Sequence, residues 1–215
     1  PAIRLQLDDG HNVHLVQSNN STIDHTAAML DFTAKKLPEL ADLCGYIVCA
    51  KSPSCGMERV RLFDAAGQQL GKLGVGLYTR QLMQHYPWLP VEEDGRLFDA
   101  ALKENFICRV FSCYDYQQSM QDGFSVGKLV AFHSRYKFLV MAHSPVAYRE
   151  LGRLVAQAKL FSAQELQQRY LQDLMQALKN IATRKQHTNV LQHLQGFLKH
   201  GLTAEAKQEL SELIH

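Results

Sequence analysis

Tyr46-Ile47-Val48-Cys49-Ala50-Lys51-Ser52-Pro53-Ser54-Cys55-Gly56 is the stretch on which the fold turns. Its first five residues form an unbroken apolar run, with the length and composition of a buried strand in a parallel sheet. The next six change abruptly to a polar turn. Pro53 fixes a backbone angle there, and Gly56 permits a tight or positive-φ exit. Functional groups in α/β folds gather outside the carboxyl ends of strands. A strand ending at Ala50 therefore puts Lys51–Gly56 where chemistry is expected.

Upstream, Ile3, Leu5 and Leu7 alternate with Arg4 and Gln6. This predicts short strands over 3–7 and 13–16, around the turn Asp8-Asp9-Gly10. Asn19 to Thr22 reads as a polar connection. Ala27, Leu30, Ala34, Leu37, Leu40 and Leu43 recur at helical steps, predicting a helix from about Asp24 to Leu43. Pro38 kinks or splits it, and Gly45 stops it. Downstream, Val60–Phe63 reads as a short strand and Asp64–Gly71 as a turn. Gly74-Val75-Gly76 opens a helix ending near Tyr86-Pro87, and Pro90–Arg96 reads as a polar loop. Asp99 is a good N-cap for a helix through about Ser112.

Gly123–Val126 reads as the domain boundary, and every later segment is helical in period. Leu129, Phe132, Tyr136, Leu139 and Val140 share one side of 126–142. Ser144-Pro145 caps a helix to about Lys159. Ser162 and Glu165 form a capping box for the next. A further helix spans roughly Lys185 to His200, closed by Gly201, and Thr203 caps a last one to Ile214. The chain thus divides into an α/β part, 1–122, and an all-helical part, 126–215.

Composition narrows the function classes. The 215 residues are 46% hydrophobic and 20% charged, with a formal net charge of +2. That suits a packed core and does not support nucleic acid as a partner, which needs a clustered basic face. No segment approaches the roughly twenty apolar residues of a membrane span. Five cysteines, without a Cys-x-x-Cys, fit a reducing compartment, so a cytoplasmic location is expected. Cys44, Cys49 and Cys108 read as small core hydrophobes. Cys108 and Cys113 point in different directions on a helix.

Within the Lys51–Gly56 loop stand two hydroxyls, one thiol and one ammonium. Lys51 places positive charge near Cys55, the setting in which a cysteine acts as nucleophile or metal ligand. Ser52 and Ser54 are placed to hydrogen-bond a bound anion or substrate. The bland reading, a tight surface turn with an incidental cysteine, stands level with this one, because one cysteine cannot hold a metal. Gly71, Gly74 and Gly76 read as tight loop-to-sheet packing in preference to a phosphate cradle, with Thr79 and Arg80 beside them. Glu92-Glu93-Asp94 reads as a solvated acidic run. Arg135, Lys137, Arg149 and Arg153 form a modest basic set, either an anionic docking surface or ordinary helix surface. His133, His143, His187, His193, His200 and His215 read as helix-end or surface residues, and no His-Glu-x-x-His occurs.

Several of these segments together are similar to a known pair of families. Gly45–Gly56, Gly74-Val75-Gly76-Leu77, Leu89–Glu93 with Gly95-Arg96-Leu97, and Glu104-Asn105-Phe106 with Arg109-Val110-Phe111 resemble the DUF523 family, which includes proteins of the thiouracil desulfurase type. Phe132–Lys137, His143-Ser144-Pro145, Tyr148–Arg153 and Asn189–Gly196 resemble the DUF1722 family. The two often occur fused in this order, and together they cover nearly the whole chain.

The resemblance implies an α+β two-part chain: an incomplete Rossmann-like, three-layer α/β domain, then an all-α domain. It implies a [4Fe-4S] cluster held by three cysteines, with one iron open to take sulfur from a thiolated pyrimidine while water replaces it. Cys55 matches the third cluster cysteine, the metal and cofactor ligand. Ser52 matches a serine placed near the substrate for proton transfer or orientation, the catalytic assignment. Lys51 and Ser54 then flank the site, and Arg135, Lys137, Arg149 and Arg153 are surface candidates. The family's first two cysteines lie in Ser-Ala-Cys and Cys-Pro-Glu motifs, and neither occurs in these residues. The chain, which opens on Pro1, is accordingly expected to be either a fragment or a short form whose cluster is absent. Desulfuration of a small thiolated molecule is the expected activity. A non-catalytic interaction or nucleic-acid-associated module is the alternative.

Overall fold

A computed structural model describes residues 2–198 and 201–214. The positions of Pro1, His200 and His215, and the end of the helix expected to reach His200, fall outside them. The described chain forms two compact units that divide between Cys113 and Tyr114. The first is a mixed α/β unit and the second is all-helical.

The N-terminal unit starts with a meander. Strands β1 (Ile3–Leu7), β2 (Val13–Gln17) and β3 (Asn20–Asp24) pair antiparallel. β5 (Val60–Phe63) joins β1 in parallel, and β6 (Gln69–Gly74) closes the sheet antiparallel, giving the order β3-β2-β1-β5-β6. Two of these strands correct the sequence reading. β3 occupies the predicted polar connection and β6 emerges from the predicted turn. Both are edge strands, and β3 is exposed throughout, so neither needs the apolar alternation that marks a buried strand. The first core collects Leu5, Leu15, Val60, Leu62 and Leu77.

The helix expected from Asp24 to Leu43 is divided as Pro38 requires: α1 (Thr26–Lys36) gives way to a 3-10 turn, Leu37–Leu40. The second half of the predicted apolar row holds, with Leu37 buried and Leu40 and Leu43 packed in the same core. The first half does not: Thr33 is buried, while Ala27, Leu30 and Ala34 face solvent. Thr33 can fill a buried position because its hydroxyl donates back to the Met29 carbonyl at 2.7 Å.

β4 (Tyr46–Val48) is the predicted parallel strand, and its partner is β7 (Val91–Glu93), in a separate two-stranded sheet. β7 lies where a polar loop was predicted, and all three of its residues are buried. The run Tyr46–Ala50 is less buried than its composition suggests. Side chains alternate along a strand: Val48 is 3% exposed, Ile47 is 55% exposed, and Cys49 shares the outward side. Cys49 is therefore not a core residue. Val48 and Val91 join Leu37, Tyr78, Leu82, Tyr86 and Leu89 in a second core. Helix α2 (Leu77–His85) packs into both cores. Helix α3 (Ala100–Ser119) starts at Asp99, whose carboxylate accepts from the Leu102 amide, and runs past the predicted end at Ser112.

In the helical unit, α4 (Val126–His143), α5 (Pro145–Ala156), α6 (Ala163–Leu178), α7 (Arg184–Leu198) and α8 (Ala204–Ile214) follow the predicted periodicity. The caps fall where the hydroxyls predicted them. Ser144 accepts from the Ala147 amide, Ser162 from Glu165 and Thr203 from Ala206. Tyr116, Phe132 and Tyr170 form the aromatic centre, with Tyr116 and Tyr170 stacked at 5.9 Å. His143 is the last residue of α4, as the helix-end reading has it, and is buried, while His133 is half-buried within the helix, contrary to the surface reading. His133 Nδ1 meets the Tyr170 hydroxyl at 3.0 Å, and His143 Nδ1 meets the Asn180 carbonyl, so each ring keeps a polar partner. His187 and His193 are exposed as expected. No described helix is long and apolar enough to cross a membrane.

Candidate functional site

The loop after β4 is a closed hydrogen-bonded unit. Lys51 takes a left-handed conformation, φ 62°, and reverses the chain. The Gly56 amide then donates to the Ser52 carbonyl at 2.8 Å. Inside this turn Ser52 Oγ accepts from the Cys55 thiol at 3.2 Å and the Cys55 amide at 3.3 Å, and lies 3.0 Å from Ser54 Oγ. A hydroxyl has two acceptor sites and one proton. With both acceptor sites used, Ser52 donates its proton to Ser54. When Cys55 is a thiolate the first bond must reverse, and Ser52 becomes its donor. Ser52, Ser54 and Cys55 are thus brought together, all half-buried, with Lys51 exposed at the entrance.

Helix α2 holds this loop from beneath. Its first amides would ordinarily lack intrahelical partners. Here Gly76, Leu77 and Tyr78 donate to the carbonyls of Gly56, Pro53 and Ser54 at 2.8, 3.3 and 2.9 Å. These donors are spent on the loop and leave no phosphate cradle. Gly76 is the position where this contact demands glycine: a Cβ would stand 2.5 Å from the Ser54 carbonyl carbon and 2.6 Å from the Cys55 nitrogen. Thr79, wholly buried, donates to the Cys55 carbonyl at 2.7 Å.

β7 holds the loop from the side, through residues taken from sequence as a solvated acidic run. Glu93, 6% exposed, accepts from the Met57 amide at 3.0 Å and the Glu58 amide at 3.3 Å. Glu92, 3% exposed, accepts from Arg96 Nε at 2.7 Å and lies 3.4 Å from Arg109 Nη2. Burial pushes the Arg109 pKa down while Glu92 pulls it up. Asp94 accepts from the Ala50 and Gly95 amides at 3.0 and 2.7 Å. The signal that could have placed these carboxylates is the apolar Leu89-Pro90-Val91 leading into them, which marks a strand entering the core.

Beside the loop lies a cleft of about 310 Å³ lined by Lys51 and Pro53 together with Arg4, Arg59, Arg61, Lys72, Ser18 and apolar neighbours. Five cations around one cleft suit an anionic group, although the whole chain is close to neutral.

The basic residues of the helical unit do not converge in this way. Arg135 pairs with Asp115 at 3.2 Å, donates to Ser119 Oγ at 3.0 Å and lies over the Phe132 ring. Lys137 sits over Phe138 at 5.1 Å. Arg149 is exposed, and Arg153 lines a groove of about 600 Å³ between α5 and α6, where Glu150, Asp173 and Arg169 balance its charge.

The other cysteines have separate surroundings. Cys113 is fully buried, which pushes its pKa up, and Cys44 lies beside it. Cys108 is half-buried. Among the described residues, no group of three or more His, Cys, Asp or Glu side chains is arranged to hold a metal ion. A [4Fe-4S] cluster takes Cys thiolates at its irons. The described residues gather no set of thiols that by itself fits a cluster around Cys55.

A mixed α/β domain with a thiol-bearing loop after a parallel strand, followed by a helical domain, is the class that this geometry defines. Residues 1–94 match the family described as 2-thiouracil desulfurase, and residues 137–215 match the protein of unknown function family DUF1722. The chain is a thiouracil-desulfurase-like domain fused to a DUF1722 helical domain. It is 31% identical over 112 residues to the uncharacterized protein YbgA of Escherichia coli (strain K12), across 52% of this chain and 66% of that protein. No solved structure matches at a significant level.

Proposed function

We propose that the N-terminal domain serves the removal of sulfur from a thiolated pyrimidine or related small molecule, with Cys55 as its sulfur ligand group and Ser52 as the proton-handling partner. The observation that carries this is the 3.2 Å contact between the Cys55 thiol and Ser52 Oγ, inside a loop fixed by Gly76, Thr79 and Glu93. Ser52 can accept from the thiol or donate to the thiolate without moving, and Ser54 relays the change. The match of residues 1–94 to the desulfurase family supports the same chemistry. The net reaction is hydrolytic: water oxygen replaces the thiocarbonyl sulfur, which leaves as sulfide. The basic cleft at Lys51 suits a substrate that carries an anionic group. An iron–sulfur cluster is the cofactor that the family implies, and it requires ligands beyond those the described residues supply.

Anaerobic reconstitution with iron and sulfide, followed by iron and sulfide counts, tests the assignment of Cys55 in the chain joined to a segment that carries the family's Ser-Ala-Cys and Cys-Pro-Glu motifs. Bound iron that is lost in Cys55→Ser is the expected result. Failure of the joined protein to bind iron, or binding indifferent to Cys55, overturns it. A second reading, the helical domain as an interaction module, is favoured by the exposed Leu191, Leu194, Phe197 and Leu198 on α7.

A further inference from the structure

Three neighbouring strands of the five-stranded sheet align cations on one face. Leu5 pairs with Leu62 across the parallel β1–β5 ladder, and both side chains enter the first core. Side chains alternate along a strand, so Arg4 and Arg61, one residue earlier on each, stand side by side on the other face. On the far side of β5, Leu62 pairs with Gly71 and Val60 with Gly74, which sets Lys72 and Leu73 beside Arg61. Like charges side by side on neighbouring strands are destabilising. Among the described residues no carboxylate pairs with Arg4, Lys51, Arg61 or Lys72, while Arg59 lies 3.5 Å from Glu58. These five cations share the cleft of about 310 Å³, and no acidic residue is among those that line it.

Arg4 is held in place. Its guanidinium carbon lies 5.1 Å from the centre of the Phe63 ring. Its Nη2 donates to Gln6 Oε1 at 3.3 Å, and Gln6 in turn donates to the Ala65 carbonyl at 3.0 Å. The turn at Gly67 closes on it, since a Cβ there would stand 3.3 Å from Arg4 Nη2. Arg4 Nε is buried and has no hydrogen-bond partner among the described residues. A fixed guanidinium with an unspent donor, in a row of cations without acids, fits an anion that offers paired oxygens.

We propose that Arg4, Arg61 and Lys72 form a binding site for a small phosphorylated molecule, a ligand other than the one that meets Cys55. A phosphate group carries about two negative charges and three acceptor oxygens, against the single charge of a carboxylate. The cleft is at the small end of the roughly 300–1,000 Å³ of ligand pockets, which suits a metabolite and not a polynucleotide. The two faces of the sheet separate this site from the thiol. The Cys55 carbonyl is bonded to Thr79 of α2, and α2 sends Leu77 into the core beneath Leu5 and Leu62. Arg4 and Arg61 stand on the opposite face. Lys51 and Pro53 line the cleft, and Ser52, Ser54 and Cys55 do not. Lys51 is where an anionic substrate at the loop and this second ligand meet. The site stands on its own geometry, whether or not the sulfur chemistry proposed above holds.

Calorimetric titration of the full chain with pyrophosphate, at fixed ionic strength and without phosphate buffer, tests the site. Saturable binding at a single site is expected. Arg61→Gln should weaken it at least about tenfold, because a charge-assisted contact is lost. Lys72→Gln, on the edge strand β6, should weaken it in the same direction without touching the central ladder. Arg149→Gln makes the same change of charge on an exposed residue of the helical unit and should leave binding unchanged. Relief of repulsion means that the empty Arg61→Gln chain unfolds at no lower urea concentration than the unmodified chain, so its lost binding is not lost folding. Saturating pyrophosphate should leave the rate of Cys55 alkylation by iodoacetamide unchanged. A titration that does not saturate, weakening by Arg149→Gln equal to that by Arg61→Gln, or binding indifferent to both Arg61 and Lys72 would overturn the site. Protection of Cys55 by pyrophosphate would overturn its separation from the thiol. None of these readouts depends on a cluster or on turnover.

Discussion

The Lys51–Gly56 loop and the basic residues of α4 and α5 differ in what holds them. Buried groups fix the loop from two directions: Gly76 and Thr79 of α2 below, and Glu93 of β7 at the side. Arg135 and Lys137 spend their charge on neighbours of their own surface, Asp115 and the Phe132 and Phe138 rings. Arg149 is exposed, and Arg153 lines the groove between α5 and α6. Groups held by supports other than themselves keep a fixed geometry, and of these two regions the loop is the one so held.

Perturbing the supports of the loop separates the two regions most sharply. Glu92→Ala leaves the Arg109 guanidinium, 5% exposed, without its carboxylate, and a loss of about 3–5 kcal/mol is expected. Urea unfolding followed by the fluorescence of Trp88, the single tryptophan, reads it in the N-terminal unit. Gly76→Ala drives a Cβ into the rigid backbone of Ser54 and Cys55, and about 1–3 kcal/mol is expected to be lost. Faster alkylation of Cys55 should accompany that loss, and an unchanged rate would show that the loop does not depend on α2.

Acid should act oppositely on the two units. Burial, then Lys137, lowers the His133 pKa, and burial lowers that of His143. Their unfolded forms bind protons first, so this stability is present above pH 6.5 and is lost as pH falls below it. In the N-terminal unit His14 bridges Asp24 at 2.8 Å and Asp8 at 3.3 Å. The Asp24 hydrogen bond, against desolvation, raises its pKa. Stability from this bridge is present below pH 6.5 and is lost as pH rises through the raised value. Melting followed by circular dichroism, dominated by the helical unit, should fall more on acidification than melting followed by Trp88. The smallest effect belongs to Arg135→Ala. Its ion pair is solvent-exposed, so a change below about 1 kcal/mol is expected in urea unfolding.

Much of this was legible in the sequence because local chemistry decided it. Ser144, Ser162 and Thr203 cap helices whatever surrounds them, and Pro38 divides its helix for covalent reasons. The loop itself was marked by the step from Ala50 to Lys51. What escaped was decided by partners distant in sequence. Glu92 and Glu93 read as solvated because nothing local reveals that Arg109 and the Met57 and Glu58 amides wait for them. Cys49 read as buried because an apolar run does not say which of its alternating faces meets the core. The edge strands β3 and β6 escaped because an edge needs little apolar pattern.

Sulfide release from a thiolated pyrimidine, measured anaerobically after reconstitution of the chain joined to a segment that supplies the family's two further cluster cysteines, tests the central claim most directly. Cys55→Ala and a variant with Arg135, Lys137, Arg149 and Arg153 all changed to Ala are compared with the unmodified protein. Release that disappears with Cys55 and survives loss of the four basic residues is the predicted result. Release that survives without Cys55, or that vanishes with the basic set, would contradict the account.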